Sequence, residues 1–260
     1  LAQWLHDVCA PRQALTILKD LPQQSPLLSS LDNAYAQQLQ RACECLGFIS
    51  VEGQALAYVP IDFVDIDDYL SRLSRSRRRD MRRKLRHRGR LRVEVVETGD
   101  RRFCNGDWVS ALYALYLAVH DQSHIHFDRL TESFFAAALN DGASQGRVFC
   151  YWHGGDLVGF NLCYVHGDAL VDKYIGLHYP QAHDLNLYFV SWFVNIEYAL
   201  AHGLKFYVAG WTDPQVKASL GARFTFTRHL VWVRQPVVPR VLGRFRHWFE
   251  GDTQALSAVS

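Results

Sequence analysis

The chain has 260 residues, 49% of them hydrophobic and 21% charged, which is the composition of an ordinary globular protein with a sizeable core. No apolar run is long enough to span a bilayer, and no segment has the three-part layout of a signal peptide. The net charge of +2 hides an asymmetry. Between Arg72 and Arg92 twelve basic residues accompany one acidic residue, a local +11, while the remaining sixteen basic and twenty-five acidic residues carry −9.

Residues 1–65 read as a helix, a strand over Ala14–Leu21, a helix over Leu31–Leu46 and a strand over Ala55–Phe63. The chain starts at Leu1 and holds one methionine, Met81, so further native sequence is expected upstream. None of the six cysteines forms a C-x-x-C pair, which argues against a cysteine-based zinc site. Several lie in apolar runs, where a reduced thiol acts as a small hydrophobe, so a reducing, cytoplasmic compartment is expected.

Ser74–Arg88 reads as an arginine-rich helix closed by Gly89, with Met81 and Leu85 as its thin apolar stripe. Leu91–Thr98 alternates and is rich in β-branched residues, a strand pattern. Asp107 is expected to cap a helix running to His120, and Thr131 a shorter one to Leu139. Strands at 147–153, 157–165 and 169–177 are joined by Gly-Gly-Asp and His-Gly-Asp turns, which predicts an antiparallel meander. A largely buried helix is expected over Asp184–His202, then a strand at Lys205–Ala209. Asp213-Pro214 opens a short helix that Gly221 stops, and a last strand covers Phe224–Val233. The expected fold class is α+β, with a mixed, mostly antiparallel sheet flanked by helices.

Within this order the stretch Lys217-Ala218-Ser219-Leu220-Gly221 resembles the K-x-x-x-G of Fem-type peptidoglycan aminoacyltransferases. It is similar also to the acetyltransferases associated with cellulose biosynthesis (CelD-like). Both groups belong to the GNAT acyltransferase superfamily and carry an arginine-rich helix before the first strand, as at Ser74–Arg88. The resemblance covers residues 65–235. Fem-type proteins are tandem GNAT-like units, and Cys45-Leu46-Gly47-Phe48 echoes Ser219-Leu220-Gly221-Ala222. Residues 1–65 are therefore expected to be a partial N-terminal GNAT-like half. A basic connector over 66–90, the GNAT-like domain over 91–235 and an amphipathic tail over 236–260 complete the expected organisation.

The resemblance implies attack of an amine on an activated acyl carbon. That chemistry needs a group to take the amine proton, donors for the developing oxyanion and a cradle for the donor's phosphates. Asp172 is the candidate base, with Tyr174 on the same strand face as a further catalytic candidate; Lys173 on the other face and His178 are candidate substrate contacts. Lys217 stands where many GNAT enzymes keep a tyrosine general acid. The third meander strand is expected to splay from the Lys205–Ala209 strand, with Gly176 and Gly210 easing close backbone approach there. The turn before the long helix, from His178 to Asp184, lacks the glycines of a coenzyme A pyrophosphate loop. Acyl-coenzyme A, acyl carrier protein and aminoacyl-tRNA therefore all stand as donors. His124, His126 and Asp128, with His120, lie in a loop that lines the acceptor site in GNAT folds. Their ligand types suit zinc or iron, but acceptor binding is the expectation and no metal is expected.

Arg78, Arg82 and Arg86 are the expected contacts for a polyanionic partner, whether tRNA, acyl carrier protein or the inner face of a membrane. Arg240–Glu250 mixes apolar and basic residues and suits packing on the domain or a membrane interface. The first functional reading is an N-acyltransferase acting on a small-molecule or envelope-precursor amine. The alternative is a non-catalytic module that holds a polyanion through the basic helix.

Overall fold

A computed structural model describes residues 1–123 and 129–234. His124, His126, Asp128 and the Arg240–Glu250 tail lie outside the described residues. In chain order the main elements are β1 (Leu15–Pro22), α1 (Ser30–Cys45), β2 (Ile49–Pro60), α2 (Ile66–Ser71), α3 (Arg75–Leu85), β3 (Arg92–Glu97) and α4 (Gly106–Gln122). They continue with α5 (Glu132–Asn140), β4 (Gly146–His153), β5 (Asp156–His166), β6 (Ala169–Leu177), α6 (Leu187–Ala201), β7 (Phe206–Gly210), α7 (Pro214–Ser219) and β8 (Arg223–Val233). The class is α+β, and within the two units below the strand pairings are antiparallel except that of β6 with β7.

Two compact units divide the chain: Leu1–Tyr58 with the segment from Trp211 onward, and Val59–Gly210. In the first, β8 pairs antiparallel with both β1 and β2. Helix α1 is capped by Ser29, whose side chain accepts from the Asp32 N–H. Its Ala36 and Cys43 pack with Leu21, Phe48 and Leu230.

In the second unit β3, β4, β5 and β6 run antiparallel in neighbouring order, and β7 adds to β6 in parallel. Glycine at the tight turns after β4 and β5 supplies the positive φ they need: Gly155 has φ 99° and Gly167 φ 54°. One sheet face carries Val148, Cys150, Phe160 and Leu162, which bury Leu112, Leu115, Phe135 and Leu139 of α4 and α5. Burying each such side chain contributes about 1.5–3 kcal/mol. The opposite face packs on α6, where Tyr198 meets Phe149 edge-on at 5.1 Å.

Several expected boundaries shift for identifiable reasons. Asn105, not Asp107, caps α4, accepting from the N–H groups of Asp107 and Trp108. Thr131 caps α5 as expected. The long helix begins at Leu187 rather than Asp184, because Asn186 takes a left-handed conformation with φ 49° and separates it from a single turn over Gln181–Asp184. The arginine-rich helix ends at Leu85 and tightens into a 3₁₀ segment over Arg86–Arg90.

Candidate active site

Strands β6 and β7 pair through Ala169–Phe206, Leu170–Tyr207 and Val171–Val208. Beyond this register β6 continues to Leu177 and β7 to Gly210. The sheet therefore parts on the far side of Val171, which is the splay expected from the sequence.

A β-bulge sits at the point of parting. Leu162 is opposite Tyr174 and Cys163 opposite Asp172, so Lys173 is the extra residue on β6. Adjacent residues of β5 face opposite sides, and their partners do likewise. Asp172 and Tyr174 thus lie on opposite faces, not on one face as strict alternation predicts. Tyr174 packs on the α4 side, edge-on to Tyr116 at 6.0 Å. Asp172 turns to the α6 side. Lys173 is exposed, 5.8 Å from the centre of the Tyr174 ring.

Asp172 is the hub of a buried polar network. Asn161 Nδ2 donates to both carboxylate oxygens, at 3.1 Å to Oδ1 and 3.0 Å to Oδ2. Asn195 Nδ2 of α6 donates to Oδ2 at 3.1 Å, and the Tyr207 hydroxyl of β7 donates to the same oxygen at 2.9 Å. Asn195 also donates to the Tyr207 oxygen at 3.2 Å. Asn161 and Asn195 are fully buried and Tyr207 nearly so. Three elements, β5, α6 and β7, therefore fix one carboxylate at the opening of the sheet. Hydrogen bonds to a charged acceptor are the strong kind, and they hold its position.

Burial and the Asp172 charge push the Tyr207 phenol well above its ordinary value, so it stays a donor. The same two causes push the Cys163 thiol up. Burial raises Cys150 to about 12. Thiolate is the reactive species, so iodoacetamide at pH 8 should label the exposed Cys45 and Cys104 while Cys150 and Cys163 stay unlabelled until the protein unfolds. Peptide mass spectrometry reads this directly, and labelling of Cys163 in the folded protein would contradict the packed network.

The three network residues beside Asp172 were missed in the sequence. Two carried a signal: Asn161 and Asn195 are lone amides inside apolar runs, Gly-Phe-Asn-Leu-Cys and Phe-Val-Asn-Ile. A buried amide needs partners, so such a placement points to a polar cluster. Tyr207 in an apolar strand carried none.

The other expected site residues are distributed differently. Lys217 lies on α7 in the first unit and is 4% exposed, which excludes a lysine projecting into bulk solvent. His178 is exposed after β6, with its N–H donated to the Val158 carbonyl. Gly176 serves helix packing: a Cβ there would lie 2.9 Å from the Leu115 backbone of α4 and 2.2 Å from the Phe160 ring. Gly210, with φ 79°, lets the chain leave β7 in a left-handed conformation.

Helix α3 lies against α6. Met81 is buried, and the Lys84 ammonium sits 3.3 Å from the centre of the Phe189 ring, a cation–π contact. The phase this sets exposes Arg75, Arg79, Arg82, Arg83 and Arg86. Arg78, expected on the outer face, is half-buried and donates to the Ser71 carbonyl. Arg82 pairs with Asp67 at 3.0 Å and Arg83 with Asp80 at 2.6 Å. Among the described residues, Arg75, Arg79 and Arg86 have no carboxylate partner.

The FemAB_like family, described as peptidoglycan biosynthesis/recognition, matches residues 7–255. The chain belongs to that family. No curated protein matches it. Among solved structures, the C-terminal domain of a protein assigned as a lysylphosphatidylglycerol synthetase from Agrobacterium fabrum is similar over 92% of this chain and 73% of its own, with 14% identity and a TM-score of 0.61. FemX is similar over 78% of this chain and 70% of its own, at 10% identity and TM-score 0.55. A tandem GNAT protein from the clavulanic acid biosynthesis pathway follows over 90% and 69%, at 12% identity and TM-score 0.52. At these identities the likeness establishes the fold, which is GNAT. This FemAB_like chain thus has the sheet opening, and the carboxylate beside it, on a GNAT scaffold. No helix of the described residues is long and apolar enough to cross a membrane.

Proposed function

We propose that this FemAB_like protein transfers an aminoacyl or acyl group from an activated donor to an amine. The observation that carries the proposal is the fixed Asp172 carboxylate at the point where β6 and β7 part. The acceptor enters as an ammonium, which a carboxylate binds. Asp172 takes its proton, and the amine nitrogen attacks the acyl carbon. The C–N bond forms, the bond from the acyl carbon to the leaving group breaks, and the leaving group takes a proton. Asp172, held in place by Asn161, Asn195 and Tyr207, is the group we assign to proton transfer.

Of the three donors, aminoacyl-tRNA has most support. Coenzyme A binding calls for closely approaching backbone N–H groups at the start of a helix. Here the approach to α6 runs from His178 to Asn186 without a glycine, and the first turn of α6 is Leu187, Tyr188 and Phe189. The solved structures similar to this chain include FemX, and the family is described as peptidoglycan biosynthesis/recognition.

The test is a donor panel. Aminoacyl-tRNA, acyl carrier protein loaded with an acyl group, and acyl-coenzyme A are each offered with a set of amines that includes peptidoglycan precursor peptides. Mass spectrometry reads the new amide. The expected result is transfer from aminoacyl-tRNA, lowered about 100-fold or more in the Asp172→Asn variant. No transfer from any donor would overturn the proposal.

A further inference from the structure

We infer that the outer face of α3 is an RNA-docking surface that grips phosphodiester backbone without reading bases. The inference rests on the aminoacyl-tRNA reading above and gives it a place on the molecule. Five arginines, Arg75, Arg79, Arg82, Arg83 and Arg86, form the exposed face of this helix. Arg75, Arg79, Arg82 and Arg86 follow one another at spacings of three or four residues, with Arg83 next to Arg82 and Arg86 just past the last helical residue, and so line one side over a rise of about 16 Å. All five are arginine. Its planar guanidinium matches phosphate oxygens with two parallel N–H donors, which a lysine does not do.

The composition of the face separates RNA from lipid. A helix that lies on a membrane presents an apolar side to the acyl chains. In α3 the apolar residues turn the other way: Met81 is buried and Leu85 half-buried, and no aromatic residue occurs between Arg72 and Arg92. The missing aromatics also remove the usual platforms for base stacking, which favours contacts to phosphates. Two of these arginines already hold carboxylates, Arg82 with Asp67 of α2 and Arg83 with Asp80, in exposed ion pairs that a denser run of phosphates displaces. The surface is also coupled to the candidate site. Helix α6 carries Phe189 beneath Lys84 and Asn195 against Asp172, so a polyanion gripping α3 is held beside the helix that positions the carboxylate.

The experiment is a fluorescence anisotropy titration of the full chain with deacylated tRNA and with an unrelated RNA hairpin, at several salt concentrations. A sedimentation assay with anionic phosphatidylglycerol vesicles runs beside it. The inference expects both RNAs to bind with similar affinity, with log K falling against log salt at a slope of about −4 for five neutralised phosphates. The Arg75→Glu/Arg79→Glu/Arg86→Glu variant should bind at least 100-fold more weakly at low salt and show a slope reduced to about −2. Its thermal unfolding should match that of the wild type, since all three side chains are exposed. RNA binding that is unchanged in the variant, vesicle binding without RNA binding, or no RNA binding would each overturn the inference. Deacylated RNA separates this outcome from the transfer reaction. RNA binding without transfer leaves the docking surface standing and the proposed function refuted, and transfer from acyl-coenzyme A without RNA binding does the reverse.

Discussion

Replacing Asp172 with asparagine should lower amide formation by about 10²–10⁴-fold, the range that a positioned acid–base group supplies. The side chain keeps its volume and loses the charge. Asn161, Asn195 and Tyr207 all donate into the wild-type carboxylate. In the variant one oxygen becomes an NH₂ group and at least one buried donor faces another. Each donor left without an acceptor costs about 1–3 kcal/mol, so unfolding should begin earlier as well. Two readouts separate the effects. The Tyr207→Phe variant removes one donor from Oδ2 and leaves the charge in place. It should lose part of the stability but keep most of the turnover. If Asp172→Asn retains wild-type turnover, the carboxylate is structural and its assignment to proton transfer fails.

Substituting Gly176 should be nearly as damaging to the fold. A Cβ at this position meets the Phe160 ring at 2.2 Å and the Leu115 backbone at 2.9 Å. Phe160 is fully buried and packs edge-on to Phe135 at 5.8 Å, so it has little room to yield. Overpacking a filled core costs typically 1–3 kcal/mol, and Gly176→Val should lie at the upper end, about 3 kcal/mol in urea unfolding. The Phe160→Ala change alone opens a cavity and costs about 3–5 kcal/mol. Combined with Gly176→Val, part of that space is refilled, so the double variant should be more stable than the sum of the two losses predicts. Simple additivity would mean that the two residues do not contact each other.

Much of this scaffold was legible because its signals are local. The meander was marked by glycines beside aspartate at Gly155 and Gly167, and the start of α5 by the Thr131 cap. The N-terminal strand and α1 emerged from their apolar spacing. What was not legible depends on phase or on distant partners. The bulge at Lys173 adds one residue to β6, and a period-2 pattern cannot reveal where the period slips. That slip is why Tyr174 was placed beside Asp172 but packs on Tyr116. On α3 the arginines are so dense that the sequence alone does not set the outer face. The burial of Met81 and the Lys84–Phe189 contact do, and they turn Arg78 inward and Arg75 and Arg79 outward. The pairing of β8 with β1 and β2 joins residues 165 or more positions apart (Tyr58 with Arg223 is the nearest pair), and no periodicity encodes it. The lone amides Asn161 and Asn195 were visible as polar interruptions, but only the fold shows that both aim at Asp172.

The proposed place of acyl transfer is where β6 leaves β7, beside Asp172. Hydrogen–deuterium exchange of the full chain tests it most directly, with and without an RNA hairpin carrying alanine in a non-hydrolysable 3′-amide linkage. The prediction is slowed exchange in residues 172–177 of β6 and 208–210 of β7 when the aminoacylated hairpin is added. The same hairpin without alanine should protect α3 alone. Protection by the aminoacylated hairpin that spares 172–177 would contradict the claim.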